Sequence, residues 1–399
     1  MVGLLRQRLY LAVVLGHASV DTLNSLGPVL LAVLAGPWQL SNAQIGLALT
    51  VYTFAGALSQ PVFGWLADGL RGRMARLAGV AMLWMALCYL GVAFAPGWTV
   101  LLPCLWLAAL GSGLFHPVAT ASAGAAHPTR LASATALFFF SGQAGLALGP
   151  TLAGVLLGSF GLPGIAPLAG LAVLPALLLL TAPPLAPLTP AGRRVAAARA
   201  TLLAIAAFVA LVALRSSIQA VYTAFLPKLF ADRGWEGAAF GAITSAFLFA
   251  AAIGNLVAGL AADRYGMRLA TLLPLLGSVP AGLLCLWAPS VPVAFVASAL
   301  TGLLVGGQHS VLVAHAQRLI PVRQGLAAGL ILGFTFASGG LGTWLTGVAA
   351  DQIGLARAMQ IVTLLSLPCA VLALSLPGRE PAPEATPVAE AEAVPLASR

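Results

Sequence analysis

The chain has 399 residues, of which 60% are hydrophobic and only 7% charged, with a formal net charge of +9 and a mean hydropathy of +1.00. A soluble domain carries about 25% charged residues, so this composition excludes an ordinary soluble protein. The positive charge does not point to nucleic acid, because the basic residues form no patch and fall in short loops between apolar runs.

Those apolar runs of about 20 residues are each long enough to cross a hydrocarbon core roughly 30 Å thick. Backbone in lipid must satisfy its own hydrogen bonds, so each run is a helix. The sequence therefore predicts an all-α polytopic membrane protein. Six spans are expected at 8–33, 43–67, 75–95, 98–122, 131–158 and 162–182, and six more at 200–227, 237–261, 269–288, 291–316, 324–349 and 355–376. They define an N-terminal six-helix bundle (1–182), a cytoplasmic linker (183–199), a C-terminal six-helix bundle (200–377) and a tail (378–399). The tail is rich in Pro, Ala and Glu and is expected to be disordered.

Span 1 reads as an uncleaved first helix, because it continues past signal-peptide length without a clear cleavage site. It contains "GHASVDTLNSLGP", in which His17, Asp21, Asn24 and Pro28 recur at i, i+4, i+7 and i+11 on one helical face. A charge at the bilayer centre costs at least about 2.5–3.5 kcal/mol on insertion scales, so such a residue faces the bundle interior and finds a partner. Tyr52 in span 2 suits packing as well as a cavity. In span 4, the His116-Pro117 pair breaks the helical ladder and frees carbonyl oxygens where backbone can line a cavity. Gln143 in span 5 lies within "SGQAG", whose small neighbours allow close helix approach and let it reach that cavity.

Span 7 carries Arg215, Gln219 and Tyr222 at i, i+4 and i+7 on one face. Asp21 and Arg215 are the two clearly charged mid-span residues, and they are expected to be partners or at least to share one cavity. Asn24 and Gln219 would serve equally as interhelical hydrogen-bonding groups. His309 in span 10 matches His116 in span 4, whereas His127 and His315 lie near span ends and are expected to be solvated. Spans 5 and 11 are rich in glycine, which suits either sliding or static close packing of helices. Cys88, Cys104, Cys285 and Cys369 fall in separate spans with no metal or redox spacing and read as packing residues.

The two halves repeat. His116, Pro128, Arg130, Gly149 and Gly161 are each followed 193 residues later by the same residue type, and Asp68 and Asp263 are 195 apart. Such internal symmetry is the sequence mark of transporters built from two like bundles. With a cytoplasmic N-terminus, fifteen basic residues fall on one side of the membrane and Lys228, Arg233 and Arg357 on the other. The positive-inside rule then places both termini in the cytoplasm of a cell-membrane protein.

The loops "GWLADGLRGR" (64–73) and "GLAADRYGMR" (259–268) resemble the cytoplasmic loop signature of the major facilitator superfamily. The resemblance assigns a conformational lock to Gly64, Asp68, Arg71 and Arg73, and to Gly259, Asp263, Arg264 and Arg268. In the first copy, Gly69 stands where arginine is usual and the glycine arrives one place late, as Gly72. An aspartate at a helix end can face a neighbouring helix N-terminus, with arginine clamping it. Further stretches, "GSGLFHPVATA" and "FFFSGQAGLALGPTLAG" among them, resemble the fosmidomycin resistance protein family of efflux pumps over nearly the whole chain except the tail. Family members often carry a glutamate soon after the His-Pro pair, where this chain has Val118 and Ala119.

That resemblance implies proton-driven export of a small drug or metabolite. The chain is expected to work as a monomer and to need no cofactor, with the proton gradient as its energy source. Asp21, with His17 beside it, would carry the proton. Asn24, Arg215, Gln219, Tyr222, His116, Gln143 and His309 would hold the solute. An anionic substrate at Arg215 would free Asp21 to accept a proton. Proton-linked uptake would use the same residues, and a non-transporting nutrient sensor would need longer soluble extensions than this chain has. The phosphate-binding loop Gly-x-x-x-x-Gly-Lys-Ser/Thr and the His-Glu-x-x-His and Gly-x-Ser-x-Gly elements do not occur, which argues against ATP drive and against an enzyme.

Overall fold

A computed structural model describes residues 8–68, 70, 73–126, 131–182, 201–319 and 324–378. Among them, twelve helices are long and apolar enough to cross a membrane. They are α1 (Arg8–Asn24 and Leu26–Ala35), α2 (Asn42–Asp68), α3 (Met74–Ala93), α4 (Trp98–Ala126), α5 (Leu131–Phe160) and α6 (Leu162–Leu180). The second six are α7 (Leu202–Ala231), α8 (Gly237–Tyr265), α9 (Met267–Leu286), α10 (Val291–Gly306 and Gln308–Leu319), α11 (Gln324–Ile353) and α12 (Leu355–Leu364 and Ser366–Ala373). Each coincides with an expected span to within a few residues at most ends. The linker, the tail after Gly378, Arg71, His127, Arg130, Pro321 and Arg323 lie outside the described residues, as does the side chain of Asp68.

The repeat is visible in the backbone. Gly161 and Gly354, 193 residues apart, both take positive φ, 62° and 86°, in the tight turns that open α6 and α12. A side chain at either position would be strained. Irregularities inside the spans occur where another group takes over the freed backbone. At the break in α1, Ser25 Oγ donates to the Thr22 carbonyl at 2.9 Å, three residues before Pro28.

The six helices of each half pack among themselves. Trp84 Nε1 on α3 donates to the Leu107 carbonyl of α4 at 2.7 Å, and Trp106 Nε1 on α4 donates to the Ala48 carbonyl of α2 at 3.1 Å. In the other half, Ser298 Oγ on α10 donates to the Ile243 carbonyl of α8 at 3.1 Å, and Ser278 on α9 meets Ser366 on α12 at 2.9 Å.

The halves meet along α2 with α11, α5 with α8, and the end of α1 with α7. Their mutual hydrogen bonds lie toward the face that carries the α1–α2 turn. Asp351 accepts from the start of α2, Thr50 Oγ1 donates to the Gly340 carbonyl at 2.6 Å, and Thr151 Oγ1 bonds Ser245 at 2.7 Å. Toward the opposite face, the described residues of these helices make no hydrogen bond between the halves, and Leu58, Val62 and Trp65 of α2, Phe139 and Phe140 of α5 and Phe249, Leu256 and Leu260 of α8 are exposed. Among the described residues, the bundles are thus fastened at the face of the α1–α2 turn and unfastened at the other.

Candidate functional site

The chemistry concentrates where α1, α4 and α5 meet. His17 and Asp21 stand one turn apart on α1, and His116 reaches them from α4. His17 Nε2 lies 3.2 Å from Asp21 Oδ2, and His116 Nε2 lies 3.2 Å from Asp21 Oδ1. The side chains of His17 and Asp21 are only 3% and 8% exposed, whereas that of His116 is 24% exposed and is the member open to water. The α5 glycines allow this proximity. A Cβ at Gly142 would lie 2.6 Å from Asp21 Oδ2, and one at Gly145 would lie 2.9 Å from the Thr22 nitrogen. Helix α5 also stacks Phe138 on the His17 ring, with centroids 4.0 Å apart.

Hydrogen-bond accounting fixes what the triad can do. The His17 Nδ1 lies 2.7 Å from the Phe138 carbonyl and the His116 Nδ1 lies 2.8 Å from the Ser112 carbonyl. A carbonyl oxygen only accepts, so both Nδ1 atoms carry hydrogen. With neutral rings, both Nε2 atoms then aim lone pairs at Asp21. Each Nε2–Oδ contact is attractive only with a proton in it. Two protons give the triad a net charge of +1, one leaves it neutral, and none leaves it at −1 with two repulsive contacts. Two imidazoles and a carboxylate whose ligand atoms lie within 4.8 Å of one another are also a donor set that a divalent transition ion could take.

Polar side chains around the triad fix the carboxylate. Asn24 Nδ2 donates to Asp21 Oδ1 at 2.9 Å and to Ser112 Oγ at 3.0 Å, and its Oδ1 accepts from the Tyr52 hydroxyl at 2.7 Å. Tyr89 on α3 sits 3.4 Å from the Tyr52 oxygen and donates to the Leu23 carbonyl at 2.6 Å. Asn24 therefore holds Asp21 directly, and Tyr52 takes a defined role. Ser112 and Tyr89 escaped the sequence reading. Ser112 stands one turn before His116, which is a usable signal; no periodicity links Tyr89 to the site.

The C-terminal half corrects the central expectation: Arg215 does not pair with Asp21. Its Nε and Nη2 donate to the Val305 carbonyl at 3.0 and 2.7 Å, and Nη2 also donates to the Gly306 carbonyl at 2.8 Å. The residue is 1% exposed. These carbonyls flank the break in α10. The Ser310 N–H, which an unbroken helix would direct at Gly306, donates instead to Asn255 Oδ1 at 3.2 Å. The guanidinium supplies the missing donors. The proposed exchange of proton for cargo through an Asp21–Arg215 bond therefore fails.

Tyr222 is also displaced from the expected cavity. It is fully buried inside the C-terminal bundle, where its hydroxyl meets Thr363 Oγ1 at 2.7 Å and its ring stacks on Phe247 at 5.6 Å. Gln219 is half-buried, and so is His309, one turn after Val305. Gln143 is exposed on α5, seven residues before Pro150, whose carbonyl packs on Gly241 of α8; this sets it on the face turned toward the other half. His315, expected in solvent, is half-buried with its ring 5.0 Å from that of Phe208. A cavity of about 370 Å³ between α8, α9 and α10 is walled chiefly by apolar residues such as Val257, Leu273 and Leu303, and is separate from the triad.

Among the described residues, the second loop motif makes no clamp. Asp263 and Arg264 are exposed, and among the described residues Asp263 makes no ion pair. Arg264 lies 5.3 Å from the centroid of the Tyr265 ring. Arg268 Nε donates to the Leu376 carbonyl at 3.0 Å, tying α9 to the end of the bundle, and Gly259 touches nothing within 4 Å of a built Cβ. In the first copy, Arg73 is exposed at the start of α3 and Gly64 packs near Pro117.

The Major Facilitator Superfamily profile matches residues 9–218 and 203–399. An uncharacterized MFS-type transporter of Bacillus subtilis (strain 168) is 27% identical over 377 residues, covering 90% of each chain. The fosmidomycin resistance protein of Escherichia coli (strain K12) is 28% identical over 369 residues, covering 89% of each. Among solved structures, a bacterial homologue of the human lysosomal transporter Spinster, inward-facing and occupied, superposes with a TM-score of 0.74 at 16% identity, covering 91% of this chain and 95% of that one.

Proposed function

The chain belongs to the major facilitator superfamily, and on that premise we propose that it is a proton-coupled exporter of small polar or anionic solutes, working by alternating access. As a multi-pass membrane transporter of this family it takes a small-molecule substrate. The observation that carries the proton assignment is the pair of 3.2 Å contacts between Asp21 and the two imidazoles, a place where a bound proton is shared among groups that otherwise set lone pairs against one another.

Burial makes the site selective among its charge states. A net charge in a medium of low dielectric is costly, so the one-proton, neutral triad is the resting form. Protons reach it through His116, the exposed member. Loss of the proton sets Asp21 against the Nε2 of His17 on its own helix and against that of His116 across the α1–α4 interface. A proton between His116 and Asp21 draws the two helices together again. The occupancy of the site is thereby linked to the packing of helices that border the space between the bundles.

The asymmetry of basic loop residues puts the unfastened face in the cytoplasm. The described conformation is then inward-open, ready to load a solute from the cell interior. Solute contacts fall to His116, Asn24 and Gln143 on the N-terminal side. On the other side, the positive charge of Arg215, which makes no ion pair among the described residues, with His309 one turn past Val305, favours anions. The relative named for fosmidomycin resistance supports export as the direction and makes fosmidomycin a sensible first solute.

Reconstitution in liposomes tests this reading. An imposed pH gradient is expected to drive fosmidomycin or another small anion against its own gradient, opposite to proton flow. Asp21→Asn is expected to abolish the pH-driven component. Solute moving in the same direction as protons, or pH-driven flux that survives Asp21→Asn, would overturn the proposal.

A further inference from the structure

Helices α2 and α11 run antiparallel across the boundary between the halves. They are in backbone contact near the fastened face, where a Cβ at Gly46 would come within 2.9 Å of the Thr343 carbonyl and one at Gly347 within 2.8 Å of the Asn42 carbonyl carbon. Beside this contact stands Asp351, in the last turn of α11. A carboxylate there opposes the negative end of its own helix dipole, so its position calls for a cause outside α11.

The cause is on the other bundle. Asp351 Oδ1 accepts from the Asn42 backbone N–H at 2.8 Å and from Asn42 Nδ2 at 3.0 Å, and Oδ2 accepts from the Ala43 N–H at 2.9 Å. These are the first amides of α2, which have no partner within their own helix. The remaining inter-half hydrogen bonds among the described residues, Thr50 to Gly340 and Thr151 to Ser245, join neutral groups. Asp351 makes the charge-assisted ones, which are about twice as strong. Donors and acceptor belong to different bundles, so all three bonds must break before this face can open.

We propose that Asp351 is the latch of the outer gate, a positioning residue that sets the balance between inward-open and outward-open states without touching proton or solute. That the latched face is the outer one rests on the orientation given above; the latch itself does not. Nothing in the contact depends on the triad, so the gate is held by a term separable from the coupling chemistry.

Double electron–electron resonance on the full chain tests this, in a background with the four cysteines replaced. Spin labels at Gly36 and Glu236 report separation of the halves at the latched face, and labels at Arg73 and Asp263 report it at the opposite face. Asp351→Asn is expected to raise the population open at the latched face by at least about tenfold, from the weakening of charge-assisted bonds, and to shorten the opposite distance. Asn42→Ala, which removes one donor and keeps both amides, should shift both distances the same way by less. Unchanged distance distributions in both variants, whatever their melting temperatures, would overturn the latch. An impermeant thiol reagent applied to intact cells tests orientation separately: a label site at Glu236 that reacts from inside only would overturn the word "outer" and leave the latch standing.

Discussion

The two halves use equivalent positions for opposite purposes. Asp21 on α1 and Arg215 on α7 are 194 residues apart, within one residue of the repeat that relates His116 to His309. In the N-terminal half the charge is a carboxylate set between two imidazoles, so that a proton can be shared among them. In the C-terminal half it is a guanidinium, which keeps its proton, set on two carbonyls of a broken helix. One half can load and unload a proton; the other carries a fixed charge that braces a discontinuity. A duplicated framework has thus separated ion coupling from anchoring.

The largest effect should come from the matched histidines. His116→Gln keeps a polar side chain but removes one of the two proton-sharing contacts with Asp21. It is expected to abolish pH-driven flux in liposomes. His309→Gln changes the equivalent residue on α10, which stands beside a charge that does not titrate, and is expected to leave pH coupling intact. Equal losses in the two variants would break the division between the halves.

Arg215→Met comes next. It strips the donors from the Val305 and Gly306 carbonyls and leaves each at a cost of about 1–3 kcal/mol. The expected result is a lower melting temperature in detergent, with proton coupling retained by the protein that remains folded. Loss of pH dependence at full thermal stability would instead return Arg215 to the coupling machinery.

The sequence made these helices easy to find and their partners hard to find. Apolar length alone locates the twelve spans, because lipid leaves an apolar run no alternative to a helix. Periodicity also placed His17, Asp21 and Asn24 on one face, and they do act together. It could not choose between neighbours. Asp21 was expected to seek the opposite charge, but a buried ion pair across two moving bundles competes with partners already fixed inside one bundle. His116 reached the carboxylate within the N-terminal half, while backbone carbonyls satisfied Arg215. Backbone acceptors have no signature in composition, which is why the brace on α10 was not legible. The Asp351 contact was equally hidden, because its partners are the first amides of a helix rather than a side-chain motif.

Gly142 tests how tightly the N-terminal site is built. A methyl group there would press on the His17 ring and on Asp21. Overpacking of this kind costs about 1–3 kcal/mol, and Gly142→Ala should move α5 away from α1 or tilt the imidazole. The expected outcome is weakened pH-driven flux together with a modest drop in melting temperature. Gly158, on the same helix but with nothing near its Cβ position, is the control; Gly158→Ala should change neither.

The smallest and sharpest comparison uses two tyrosines. Tyr52→Phe and Tyr222→Phe each delete one hydroxyl, and each loses a bond of 2.7 Å, to Asn24 Oδ1 in one half and to Thr363 Oγ1 in the other. A net cost of about 0.5–1.5 kcal/mol is expected for either, so thermal melting should lower by similar small amounts. Function should separate them. Without the Tyr52 hydroxyl, Asn24 keeps its bonds to Asp21 and Ser112 but loses the one that holds its Oδ1, so the donor at Asp21 Oδ1 is less firmly set, which should shift the pH at which flux is half-maximal. Tyr222 touches only the interior of the C-terminal bundle, so its loss should leave that pH unchanged. If both variants move the half-maximal pH, the two halves are coupled through their packing, and the division of labour between them fails.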